Sequence, residues 1–410
     1  MLINLTLILA AITSPDWREF RGPDGVGHYT GPKIVSEWGV DKNVAWKVPV
    51  PGKGWSSPIL VKGKLILTTA IPKEDGSQKL HVLAFDAVTG KQLWDTEIFT
   101  PDAKLAGQMH KKNSHASPTP VSDGEKVWVH FGHMGTACLT FDGKEVWKTL
   151  KYTYGPVHGC GGSPILVDDM LVFSVDGKDK DQYVVALNKT TGAQIWKTDR
   201  KTTALMKFTF STPQLITAEG RRMIVSPASD FVAAYDPKTG DELWRAKYPA
   251  PGWSVITRPI YSQGLVFVQT GYTSQHIIAI DPTGTGDITA NIKWKNRKEA
   301  TNTPTPMAVG KELYVVSDKG KLTCFDAKTG SIHWSEQLRG SDYSASPIYA
   351  DGLLYFTSEA GVGQVVKAQT SGFEQVSQSD LKEKTFASFV PSDGAMFMRT
   401  ETQLYRFEKK

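Results

Sequence analysis

The chain has 410 residues, 40% of them hydrophobic and 22% charged, which is the composition of a folded domain and excludes a disordered or fibrous chain. Forty-seven basic against 42 acidic residues leave a net charge of +5, with no run of five like charges, so nothing points to nucleic acid. The three cysteines, Cys138, Cys160 and Cys324, form no C-x-x-C pair. That excludes a disulfide-stapled mini-fold and a cysteine-rich zinc site, and leaves either one disulfide or buried thiols.

In chain order, nine of the eleven residues from Leu2 to Ile12 are apolar, and Pro15 follows. A run of this length suits the apolar region of a signal peptide and is too short to span a bilayer. Residues 1–14 are therefore predicted to be a signal peptide on an exported protein, periplasmic or secreted. No Lys or Arg precedes the run, and a buried first strand is the alternative. Residues 15–42 read as an N-terminal extension, and 43–410 as one domain. No later stretch is long and apolar enough for a transmembrane helix.

From residue 43 a repeat sets the pattern. Segments such as AFDAVTGKQLW (84–94), AYDPKTGDELW (234–244) and CFDAKTGSIHW (324–334) close on Trp94, Trp244 and Trp334. Trp46, Trp147, Trp196 and Trp294 complete the series, at spacings of 40 to 53 residues. A second mark keeps the same beat: Ser, Thr or Arg precedes Pro58, Pro118, Pro164, Pro213, Pro259, Pro306 and Pro347, each leading into a short apolar run. Every unit reads as four strands, with β-branched alternation and no amphipathic helix of ten residues. Asp-x-x-Thr-Gly is hairpin-turn chemistry, in which the Asp side chain bonds backbone N–H groups two residues on and Gly takes positive φ.

Four strands at this period predict an all-β fold, a β-propeller of four-stranded antiparallel blades. The segment 388–410 supplies three strands and NVAWKVPV (43–50) a lone fourth. Pairing the two ends makes an eighth blade and closes the ring. The seven Trp residues are expected to pack between neighbouring blades.

The A-x-D-x-x-T-G-x-x-x-W unit resembles the tryptophan-docking repeat of the PQQ-like (pyrroloquinoline quinone) propeller family. That family includes PQQ-dependent alcohol dehydrogenases and the lipoprotein of the outer-membrane protein assembly machine. The opening WREFRGPDGVG (17–27), with GWSSP (54–58), YGPVHGCGGSP (154–164) and YSASP (343–347), is similar to exported bacterial propellers named for PQQ. The resemblance implies a fold over residues 17–410 and leaves cofactor binding open. It implies for the dehydrogenases adjacent cysteines, a calcium-binding acidic set and an aspartate base. Here no two cysteines are adjacent, and Asp342 is the lone acid among the loops expected at the mouth of the propeller.

Those loops enter the Pro-led strands and differ from one another, as a binding face should. They present Trp55 and Ser57, His115, His158, Lys207, Trp253 and Arg258, Asn302, and Asp342 with Tyr343. Two Trp, two His, a Lys and an Arg around one mouth suit a flat anionic ligand; a polar, water-filled channel is the alternative. The step from Pro58 to Pro118 is longer than the others, and the surplus 100–113 reads as a loop over the mouth or a plain solvated excursion. His110, His115 and His158 lack metal-site spacing, as does the His130/His133 pair, and the acidic turn Asp176–Asp181 reads as a solvated hairpin, so neither a metal site nor a catalytic set is predicted. Three functions follow: an exported binding scaffold for a ligand or an envelope protein, a PQQ- and calcium-dependent dehydrogenase, and a polysaccharide-active enzyme needing paired carboxylates at the mouth.

Overall fold

A computed structural model describes residues 15–178, 182–250 and 252–409. The predicted signal peptide, like Asp179 and Asp181 of the acidic turn, lies outside them. Within these residues each repeat folds into an antiparallel sheet whose strands follow chain order from the axis outwards. Blade 1 comprises Ile59–Val61, Lys64–Pro72, Gln78–Asp86 and Gln92–Phe99. Blades 2 to 7 occupy 121–149, 165–199, 214–247, 260–296, 307–337 and 348–380. Blade 8 joins Val390–Ser392, Ala395–Arg399 and Gln403–Phe407 to Val44–Pro49, with Val44 opposite Phe407. The ends of the sequence thus close the ring, and blade 8 gains its fourth, outer strand from Val44–Pro49.

The apolar pattern explains the layering. Middle strands such as Phe231–Tyr235 and Leu265–Gln269 are buried along their whole length, because neighbouring blades cover both faces. Outer strands such as Val44–Pro49 alternate between half-buried and exposed. All eight blades carry the same register shift between the third and fourth strands. A bulge re-aims a side chain, and in seven blades it lies beside the repeat Trp.

Each such Trp lies against the turn between the third and fourth strands of the next blade, which is Asp-x-x-Thr-Gly for Trp46, Trp196 and Trp294 and Asn-x-x-Thr-Gly for Trp147. The indole N–H of Trp46 donates to Ala87 O, Trp147 to Lys189 O, Trp196 to Pro237 O, Trp294 to Ala327 O and Trp334 to Gln369 O. The turn glycine makes room for the ring: at Gly240, φ +76°, a Cβ would fall 2.5 Å from Trp196. In the turns themselves Asp86 Oδ1 accepts from Val88 N, Thr89 N and Thr89 Oγ1. Two Trp residues depart from the pattern. Trp94 Nε1 has no hydrogen-bond partner among the described residues, and Trp244 Nε1 meets Met223 Sδ at 3.3 Å. The turn facing Trp244 is enlarged, and its Gly286–Asp287 adds a fifth strand parallel to Trp244–Arg245.

Two expectations need correction, and one alternative is settled. The proline in register in blade 2 is Pro120, since Val121–Ser122 is its first strand. Asp176 is not solvated: it is buried, with Arg200 Nε at 2.8 Å and Thr209 Oγ1 at 2.7 Å. Finally, the three cysteines are all buried and unpaired, which closes the disulfide alternative.

Candidate functional site: the propeller mouth

The residue before the Pro of blades 1 to 7 is held extended by the proline ring; in six of them it is Ser or Thr, and in blade 8 Ser388 takes the same place before Phe389. Ser57 N donates to Thr119 Oγ1, Thr119 N to Ser163 Oγ and Ser163 N to Thr212 Oγ1. Beyond blade 5, Arg258 N donates to Thr305 Oγ1, Thr305 N to Ser346 Oγ, Ser346 N to Ser388 Oγ, and Ser388 N back to Ser57 Oγ. These seven bonds of 2.9–3.2 Å form a belt around the axis. Blade 5 is the exception, because Arg258 has no hydroxyl; there Ser211 Oγ donates to Thr257 O at 2.7 Å. All seven belt hydroxyl residues line a cavity of about 610 Å³, within the usual size range of small-molecule sites.

The cavity has a floor built from the segment before the first blade. Trp17 bridges Leu60 of blade 1, and Ser122 N of blade 2 donates to Arg18 O. The chain then crosses the axis: Gln214 of blade 4 donates to Asp24 O, and His28–Tyr29 pairs in parallel with Tyr349–Ala350 of blade 7. Phe20 lies at the crossing and lines the cavity. Two arginines hold the segment. Arg21 is fully buried and donates to the carbonyls of Gly25, Val26, Pro306 and Pro347. Burial and the neighbouring Arg258 lower its pKa to about 9. Arg258 donates to Phe20 O at 2.6 Å and to Glu19 Oε2 at 2.9 Å, while burial raises the Glu19 carboxyl pKa.

Aromatic and charged groups form the rim. Trp55 packs on Phe386 at 4.5 Å between ring centroids, Trp253 on Tyr272 at 6.3 Å and His110 on His158 at 5.3 Å. Asp318 accepts from Asn302 N and Nδ2 and from Thr303 N. Lys319 Nζ lies 2.7 Å from Asp342 Oδ1 and, through that hydrogen bond, holds the carboxyl below its usual range. The long connection after blade 1 forms a strap. Asp102 caps its short helix Ala103–Ala106, and Asn113 Nδ2 donates to His158 O and Cys160 O of the loop before blade 3. From there Lys112 Nζ reaches Glu359 Oε1 of blade 7, on the opposite side of the ring, at 2.7 Å.

Of the candidate residues, Trp55, Ser57, His158, Trp253, Asn302 and Asp342 line the cavity. The others are elsewhere. Arg258 turns away from the mouth to the floor segment. Tyr343 is buried between blades, its hydroxyl donating to Arg339 O and accepting from Gln364 Nε2. His115 is half-buried in the strap with Nε2 3.4 Å from Gly107 O, and Lys207 is half-buried off the wall. The cations that do reach the wall, Lys112 and Lys319, both carry carboxylates. An anionic ligand therefore loses the basis that the loop sequences offered. Phe20, Lys319 and Asp318 were missed: Phe20 precedes the repeat, and the other two sit in the turn between second and third strands. The belt did have a sequence signal, the recurring Ser/Thr-Pro.

The residues present do not fit PQQ with calcium. No group of three His, Cys, Asp or Glu among the described residues is placed to hold a metal ion. Asp318 and Asp342 already serve backbone, Asn302 and Lys319. Cys138 and Cys160 lie in different blades, and burial pushes both thiols up to about 12. Nor do the wall carboxylates offer the free acid–base pair of glycosidic hydrolysis: Asp318 accepts from Asn302 and Thr303, and Asp342 from Lys319.

Comparison with known proteins agrees with the fold. The family model described as "Outer membrane protein assembly factor BamB" matches residues 28–175, 180–309 and 274–392. The outer membrane protein assembly factor BamB of Shewanella oneidensis is 22% identical over 311 residues, 74% of this chain and 63% of that protein. That of Burkholderia pseudomallei is 26% identical over 302 residues, 72% and 60% of the two chains. The chain therefore spans about three fifths of the length of these curated relatives. The crystal structure of BamB from Moraxella catarrhalis matches with a TM-score of 0.60 at 12% identity, covering 90% of this chain and 97% of that one, a likeness of fold. With its blades, its Trp docking and most of its length accounted for, this chain belongs to the PQQ-like propeller family described as outer membrane protein assembly factor BamB.

Proposed function

We propose that this propeller is a non-catalytic, exported binding scaffold of the cell envelope, with the mouth as its binding face. The observation that carries the reading is the one-ended cavity. The protein's own N-terminal segment closes the channel at Phe20, so a ligand or a partner's side chain enters from one side only. The wall offers aromatic faces, hydroxyls and internally paired charges, a lining suited to holding a ligand. The relatives are named for outer-membrane protein assembly, which makes that process the first place to seek a partner.

Two experiments test the reading. Titrating PQQ, with and without calcium, while following the fluorescence of Trp55 and Trp253 is expected to give no saturable change. Micromolar quenching that Trp253→Ala removes would overturn the cofactor-free reading. Co-purification from solubilised envelope is expected to retain a partner on the wild type and lose it on a Trp253→Ala, Lys112→Glu double variant. Equal retention by both would refute the mouth as the binding face.

A further inference from the structure

Each belt hydroxyl accepts one N–H bond, yet its own O–H has no acceptor within reach among the described residues. The residues that carry them are at most 4% exposed. Buried donors are almost always satisfied, and a hydroxyl with one accepted bond still offers a donor and a lone pair. These seven groups are fixed by the scaffold and look onto one cavity.

Their arrangement restricts the ligand. The belt places one hydroxyl on every blade but the fifth, so the donors surround the wall and converge on no single point. A small ion would engage few of them. A molecule with hydroxyls around its circumference would engage many, each partner both giving and accepting. Charge points the same way: on the wall, Lys112 and Lys319 balance Asp318 and Asp342, and both lysines already hold carboxylates at 2.7 Å. The guanidinium groups of Arg21 and Arg258 face the floor segment. Trp253 and Tyr272 add flat amphipathic faces at the rim, and Phe20 closes the base. The volume holds about twenty waters at ~30 Å³ each, room for about two sugar rings.

We propose that the cavity binds the uncharged end of a glycan, stacked at Trp253 and hydrogen-bonded to the belt. The proposal rests on the mouth being the binding face and adds the class of ligand. It is tested by calorimetric titration of the purified protein with maltotriose, cellotriose and triacetylchitotriose, alongside citrate and inorganic phosphate. At least one neutral trisaccharide is expected to saturate with about millimolar affinity or better, little changed in about 0.5 M salt. Trp253→Ala should weaken it about tenfold or more. Thr119→Val with Thr305→Val, which removes two belt hydroxyls at nearly constant volume, should weaken it as well; if that variant fails to fold, Trp253→Ala at the rim decides. The proposal is overturned if no neutral trisaccharide saturates, if only citrate or phosphate binds, or if binding survives Trp253→Ala. Failure of the sugars while a partner still co-purifies through the mouth would sink this inference and leave the binding-face reading standing.

Discussion

Arg21 shows how one side chain decides whether the propeller has a channel or a pocket. Its guanidinium satisfies four carbonyls, two in the floor segment and two on the prolines just before the first strands of blades 6 and 7. Arg21→Met would strand those acceptors, and about 2–4 kcal/mol of stability should go with them. Denaturant unfolding checks this, with Arg18→Met, whose side chain is 47% exposed, expected to be near neutral. His130 makes the second prediction at this scale. It is buried against Phe173, with Nδ1 2.8 Å from Thr136 Oγ1, and burial lowers its pKa to about 3. His133, close by, is lowered to about 4 by the same cause. The unfolded chain takes up these protons below about pH 6.5 while the native state does not. Their contribution to stability is therefore constant above that pH and falls as pH drops from about 6.5 towards 4. Melting temperatures of His130→Gln should show a flatter slope across this window than the wild type; equal slopes would refute the assignment.

At the scale of the element, the repeat works because two residue types from neighbouring blades share one space. Gly240→Ala should cost about 1–3 kcal/mol, as its Cβ meets Trp196 in a packed seam. Gly264→Ala is the control, with a similar φ of +78° and nothing within 4 Å of its Cβ; it should pay backbone strain alone. Unfolding midpoints that match would remove the steric account of the motif. The strap is held more loosely. Lys112 is 40% exposed, and pairs of this kind are worth about 1 kcal/mol or less. Lys112→Gln should leave the melting temperature nearly unchanged while hydrogen exchange in 102–113 accelerates. An unchanged exchange rate would mean that the Asn113 bonds alone hold the strap.

What the sequence revealed follows from the same physics. Blade number, ring closure and Trp docking were legible because each depends on short-range patterns: alternation, a turn with fixed chemistry, a Trp on a beat. The direction of a side chain on an irregular loop depends on contacts that no local pattern records. Arg258 therefore read as a mouth residue, although Glu19 and Phe20 draw it to the floor. Tyr343 read the same way because a Tyr in a loop gives no sign that Gln364 awaits it in the core. The floor was hidden for a related reason: residues 17–29 pair with blades 1 and 7 through partners that no local pattern announces.

For the whole molecule, the N-terminal stretch has two tasks. Val44–Pro49 completes blade 8, and the preceding residues stop the channel at Phe20, so the propeller presents one open face. Function should accordingly track the mouth and ignore the outer turns. The direct measurement is photo-cross-linking in cells of the native host, with a benzophenone side chain in place of Trp253 at the mouth or of Lys238 in an exposed outer turn. The account predicts discrete adducts from position 253 and none from 238. Adducts from 238 alone, equal adducts from both, or none from 253 would contradict it.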